Sequence, residues 1–124
     1  DMYGFTEEQA LRMSASFGGG IGRMRETCGA ACGMFILAGL EKGSVVAGDR
    51  EGKAANYALV QELAAEFRKR NGSLICAELL GLKPQTPVVS TPEERTQQYY
   101  AKRPCIKMVE EAACIWAEYL EKVK

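Results

Sequence analysis

Four of the six residues from Phe17 to Gly22 are glycine, in the order FGGGIG. No helix interior tolerates that density, because each glycine costs about 1 kcal/mol against alanine there. The cluster must end one helix, and the chain has to be organised around the break. The next residues are equally constrained: Arg23 and Arg25, then Cys28-Gly29-Ala30-Ala31-Cys32-Gly33, then a small and apolar run to Leu40. A glycine loop with two arginines at a helix start can bind an anion through amides and guanidinium groups, with Gly20 and Gly22 in the cradle. Yet no strand precedes it, and neither G-x-G-x-x-G nor a Lys-Ser/Thr phosphate loop occurs. A tight connection that lets two helices approach is the favoured reading.

At 124 residues the chain has room for one domain and one real core. Lys+Arg and Asp+Glu both total 16. That balance argues against nucleic acid or an anionic membrane as partner, since either needs a basic patch. The longest apolar run, Ala30 to Leu40, is about half of what a bilayer span requires, so membrane insertion is not expected. The acidic start, DMYGFTEEQ, has no apolar core of a signal peptide, and the expected compartment is the cytoplasm.

There is no histidine. That excludes a Ser-His-Asp triad, a Cys-His pair, a histidine-ligated zinc and the C-x-x-C-H haem attachment. There are five cysteines, at 28, 32, 76, 105 and 114. An odd number without a secretory signal reads poorly as a disulfide framework. Reactive thiols, metal ligands or buried small hydrophobes remain.

Periodicity predicts an all-α, compact single-domain bundle of about six helices. Thr6-Glu7-Glu8-Gln9 is a capping box opening a helix over 6–17. A second helix is expected from Arg23 to Lys42, apolar on every side from Ala30 and so buried all round. Gly29 and Gly33 share a face of it, four apart, and permit either close approach of another backbone or room for a cofactor. After a loop from Ser44 to Gly52, Leu59, Leu63 and Phe67, flanked by Val60 and Ala64, mark an amphipathic helix from Lys53 to Asn71. Ser73 caps a short helix from Leu74 to Leu80, and Lys83 to Thr91 is a loop with two prolines. Thr91-Pro92-Glu93-Glu94 opens a fifth helix and Pro104 a sixth. In the last, Ile106, Val109, Ala113, Trp116 and Leu120 form one row, and Met108, Ala112, Ile115 and Tyr119 another.

These boundaries sort the thiols. Cys28, Cys76 and Cys105 fall near helix N-termini, where exposed amides and the dipole lower a thiol pKa, as redox exchange and metal ligation both need. Cys32 lies deeper in the apolar run and reads as packing. Cys114 shares its face with Glu110, Glu111, Glu118 and Glu121, which repel an anionic partner. The Cys28/Cys32 spacing is C-x-x-x-C, not the thioredoxin C-x-x-C. The alternative for all five is ordinary core packing.

FGGGIGR, Cys28-Gly29-Ala30-x-x-Gly33, Gly72-Ser73-x-x-Cys76-x-x-Leu79-x-Gly81 and Cys105 opening a C-terminal helix occur in that order. Nearly the whole chain thereby resembles the C_GCAxxG_C_C family, small proteins regarded as redox-active. The resemblance implies that Cys28, Cys76 and Cys105 are the family cysteines. The leading expectation is that they carry thiol–disulfide exchange or ligate a metal, with Cys28 the best candidate nucleophile or first ligand and Gly29 and Gly33 giving access. The family's first cysteine lies on a helix upstream of the F-G-G-G block, and this chain has no cysteine before Cys28. A four-thiolate site then needs Cys32 as substitute, or a second subunit in a homodimer. A similar domain occurs in split-Soret cytochromes, which carry haem and an iron–sulfur centre. Without histidine haem is not expected, whereas an iron–sulfur cluster or another thiolate-bound metal is compatible, served by an electron or thiol partner. The contrasting reading is a small helical interaction module with structural cysteines.

Overall fold

A computed structural model describes residues 3–82, 87–91 and 104–123. Thr6 opens α1 (Glu7–Ser14) with the capping box in place. Its hydroxyl accepts from the Gln9 amide at 3.1 Å, and the Gln9 side chain accepts from the Thr6 amide at 2.9 Å. A 3₁₀ turn over Ala15–Phe17 carries α1 into the glycine cluster. Three longer segments come next as α2 (Gly29–Lys42), α3 (Arg50–Asn71) and α5 (Cys105–Val123), with the one-turn α4 (Cys76–Leu79) between the last two. Among the described residues there are five helices and no strand, beyond one isolated antiparallel bridge between Thr27 and Ile75. The all-α reading therefore holds. The helix expected after Thr91 falls outside the described residues, and 87–91 is not helical.

The core forms where α2, α3 and α5 pack on one another pairwise. Ala31, Met34 and Ala38 from α2 meet Leu59, Leu63 and Phe67 from α3, and Met108, Ala112, Ile115 and Trp116 from α5. Small residues on α2 let the other two helices come close, and Phe67, with no exposed surface, fills the space so made. Trp116 stacks on Tyr119 with ring centroids 5.2 Å apart. At the edge, the Tyr3 hydroxyl donates to Glu41 Oε1 at 2.9 Å and ties the N-terminal segment to the end of α2.

Five expected boundaries, caps or faces need correction. The second helix starts at Gly29 rather than Arg23, because Arg23 and Arg25 have φ of 61° and 62°, which no right-handed helix contains. The third starts at Arg50 rather than Lys53, because Asp49 caps it, Oδ1 accepting from the Gly52 amide at 2.9 Å. Ser73 does not cap α4; its hydroxyl accepts from the Ile75 amide, and Ile75 is the residue that precedes the helix. Finally, α2 is not buried all round, nor is the whole apolar double row of α5. Leu40 is 40% exposed, Ile106 54% and Val109 58%, since the three-helix contact covers only one side of each helix. No described helix is long and apolar enough to cross a membrane.

Candidate functional site

The glycine cluster folds into a left-handed turn. Gly19, Gly20, Ile21, Gly22 and Arg23 have consecutive φ values of 66°, 74°, 65°, 58° and 61°, and Arg25 has 62°. Glycine takes this region freely, but a β-branched residue such as Ile21 does not, and each such non-glycine position costs on the order of 1–3 kcal/mol. The turn offsets this with its own hydrogen bonds. The amides of Ile21, Gly22, Arg23, Arg25 and Glu26 donate to the carbonyls of Phe17, Ser16, Gly18, Gly19 and Gly20, at 2.7–3.1 Å. Those donors hold the turn's own shape rather than pointing outward.

The turn then docks on the start of α4. Around the Thr27–Ile75 bridge, the Cys28 amide donates to Leu74 O and the Cys76 amide to Glu26 O, both at 2.6 Å, and the Ala77 amide reaches Arg25 O at 3.3 Å. Gly20 is required by this docking. A Cβ there would stand 2.5 Å from Cys76 Cβ and 2.8 Å from Arg25 Cα. The two segments joined at this isolated bridge place Cys28 and Cys76, each one residue beyond a bridged residue, diagonally across the pair. Cys28 immediately precedes α2, Cys76 begins α4 and Cys105 begins α5.

All three cysteines line one cavity of about 1070 Å³. Arg23, Arg25 and Gly33 line it too, and its remaining wall is largely apolar. Cys105 is exposed, Cys28 half-buried and Cys76 buried. The two glycines of α2 divide between the two readings offered for them. A Cβ on Gly29 would fall on the Phe17 carbonyl, so close backbone approach explains it; Gly33 has nothing within 4 Å and opens onto the cavity. Cys32 is buried outside the cavity wall, its sulfur 4.0 Å from Thr27 O, and Cys114 is exposed elsewhere on α5.

The electrostatics correct one expectation. Burial pushes the Cys28 thiol up from its ordinary pKa, outweighing the amides of Ala31 and Ala30, which pull it down; Cys76 and Cys105 push it up further. A helix N-terminus alone does not set a thiolate when the sulfur is largely removed from water. Cys32 is also pushed up, by burial and then by Cys28. Among the described residues, the cation in contact with a cavity sulfur is Arg25, whose Nη1 lies 3.8 Å from Cys76 Sγ. The sequence places Arg25 beside an anion cradle at a helix start; only the left-handed turn aims it at Cys76.

A profile of the family described as "Putative redox-active protein (C_GCAxxG_C_C)" matches residues 1–119. The chain belongs to the C_GCAxxG_C_C family. No curated protein and no solved structure matches it. For a C_GCAxxG_C_C protein the natural question is whether its thiols can hold a metal as they stand. Among the described residues no three cysteine, aspartate or glutamate side chains are grouped so as to hold a metal ion. Cys28, Cys76 and Cys105 surround a space without closing on a point, and Cys32, outside the cavity wall, does not complete them.

Proposed function

We propose that this C_GCAxxG_C_C protein is a cytoplasmic thiol–disulfide redox protein working through Cys28 and Cys76, with Cys105 a third thiol at the exposed rim. The observation that supports this is the convergence of three cysteines from three separate elements on one cavity. The bridged segment adds to it, holding two of them diagonally across the pair. In the forward direction two thiols close to a Cys28–Cys76 disulfide while a substrate disulfide R–S–S–R′ opens to RSH and R′SH. The two electrons and two protons lost by the cysteines are those gained by the substrate. The reverse reaction is driven by a thiol partner. A disulfide between Cys28 and Cys76 needs their Cα atoms within about 6.8 Å. Ligation of an iron–sulfur cluster or other metal is the competing chemistry, and the ungrouped donor set does not favour it.

The test is a redox titration of anaerobically purified protein in thiol/disulfide buffers, with alkylation trapping read by peptide mass spectrometry and iron and zinc determined in the same sample. The expected result is a reversible two-electron transition confined to Cys28 and Cys76, lost in Cys28→Ser. Thiols that stay free across the whole range, or stoichiometric metal released by Cys28→Ser, would overturn the proposal.

A further inference from the structure

We infer that Cys76 is the attacking sulfur of this exchange, with Arg25 as its positioning residue, and that Cys28 acts second. This rests on the thiol–disulfide reading above, but a different set of contacts carries it. Arg25 is held at both backbone ends. Its amide donates to Gly19 O at 3.1 Å and its carbonyl accepts from Ala77 at 3.3 Å, one residue beyond Cys76. From that anchor its guanidinium reaches Cys76 Sγ, with Nη1 at 3.8 Å. Among the described residues Arg25 has no carboxylate partner, whereas Arg12, Arg70 and Lys122 all do. With no carboxylate competing for it, the guanidinium is left to donate to that sulfur and hold it at the cavity wall.

The other groups of the cavity do not compete for this role. Arg23 is turned to the 87–91 segment, donating to the carbonyls of Val89 and Thr91. Glu78, on the same helix as Cys76, accepts from the Ser73 hydroxyl at 2.8 Å, and Glu26, exposed, meets Cys76 through its backbone carbonyl. Tyr3, also on the cavity wall, directs its hydroxyl to Glu41. Cys28 and Cys105, from α2 and α5, are the remaining titratable groups that line the cavity. No cation among the described residues contacts the Cys28 sulfur; Cys76 is the more buried of the two thiols, and the Arg25 contact is what distinguishes it.

The exchange then runs in two steps. The Cys76 thiolate attacks one sulfur of R–S–S–R′, forming Cys76–S–S–R and releasing R′S⁻, which takes a proton from water. Cys28 then loses its proton and attacks Cys76 Sγ. The Cys28–Cys76 bond forms, the Cys76–S–R bond breaks, and RS⁻ leaves and is protonated.

The experiment compares wild-type, Arg25→Met and Arg25→Lys full-length chains, alkylated with neutral iodoacetamide from pH 6 to 10 and read cysteine by cysteine. In the wild type Cys76 is expected to react faster than Cys28. Arg25→Met slows Cys76 about tenfold at pH 7, Arg25→Lys recovers most of the rate, and Cys28 is unchanged. Cys32, buried and off the cavity wall on which Cys76 lies, reports on folding: if it becomes reactive in Arg25→Met, the Lys variant and the wild-type order decide. Cys28 reacting first in the wild type, or Cys76 indifferent to Arg25 in folded protein, overturns the inference. Arg25-dependent Cys76 alkylation without a reversible disulfide couple would instead refute the redox function and leave the pairing standing.

Discussion

Replacing Gly20 by alanine tests the docking of the left-handed turn on α4 directly. Gly20 has φ of 74°, and an added Cβ would lie 2.5 Å from Cys76 Cβ, 2.8 Å from Arg25 Cα and 2.8 Å from the Glu26 amide nitrogen. Carbon pairs settle at about 3.5–4.0 Å, so the overlap is near an ångström on three sides. None of the three atoms is the end of a flexible side chain, so backbone has to move. The left-handed φ costs alanine about 1–2 kcal/mol, and overpacking against a fixed wall adds roughly 1–3 kcal/mol. Gly22→Ala is the matched control: its φ is 58°, but nothing lies within 4 Å, so only the backbone cost applies. With a urea slope of about 1.5 kcal/mol per molar, Gly20→Ala should lower the unfolding midpoint by about 2 M and Gly22→Ala by about 1 M. The displaced atom is the Cys76 Cβ itself, so Gly20→Ala should also change Cys76 alkylation while Gly22→Ala leaves it alone. Equal midpoints and equal Cys76 rates in the two variants would refute the docking argument.

Burial leads to two further expected outcomes. Phe67→Ala should cost about 3–5 kcal/mol in urea unfolding, because Phe67 is completely enclosed between α2 and α5 and the hole cannot collapse without moving a helix. The Cys28 thiol is pushed up by burial, so the folded state holds its proton more tightly than the unfolded chain does. That contribution is fully present below the unfolded thiol pKa of about 8.5 and is lost as pH rises through the folded value. Urea midpoints at pH 7 and pH 10 should therefore fall less in Cys28→Ala than in wild type, with a residual fall from Cys32, which is pushed the same way. An unchanged pH slope in Cys28→Ala would contradict the burial of this thiol.

The helices that build the core were legible because their signal is local and repeats. Leu59, Leu63 and Phe67 share a face through the helical period alone, and all three are buried. Thr6 and Gln9 carry their cap in four consecutive residues. Errors came where one side chain or one dihedral decided a boundary. The Asp49 cap extended α3 backwards, and three non-glycine residues at positive φ delayed α2 to Gly29. Periodicity also overstated burial. It marks which side of α5 is apolar, but Ile106 and Val109 stay exposed because no described neighbour covers the start of that helix on their side.

The candidate site divides the same way. Sequence alone determined that the chain is helical, that histidine chemistry is absent and that three of the five thiols stand at helix starts, since composition and capping are properties of short stretches. It also identified the glycine cluster as a break. Only the tertiary structure decided what the break is for. A left-handed turn between Gly19 and Arg25 is stabilised by contact with a segment some fifty residues away: Cys76 donates to Glu26 and Ala77 to Arg25. That contact sets Cys28 and Cys76 diagonally across the pair, aims Arg25 at Cys76 Sγ, and buries Cys28 enough to reverse the effect of its helix end. Charge and burial at a sulfur depend on everything packed around it, and that neighbourhood exists only once the chain has folded.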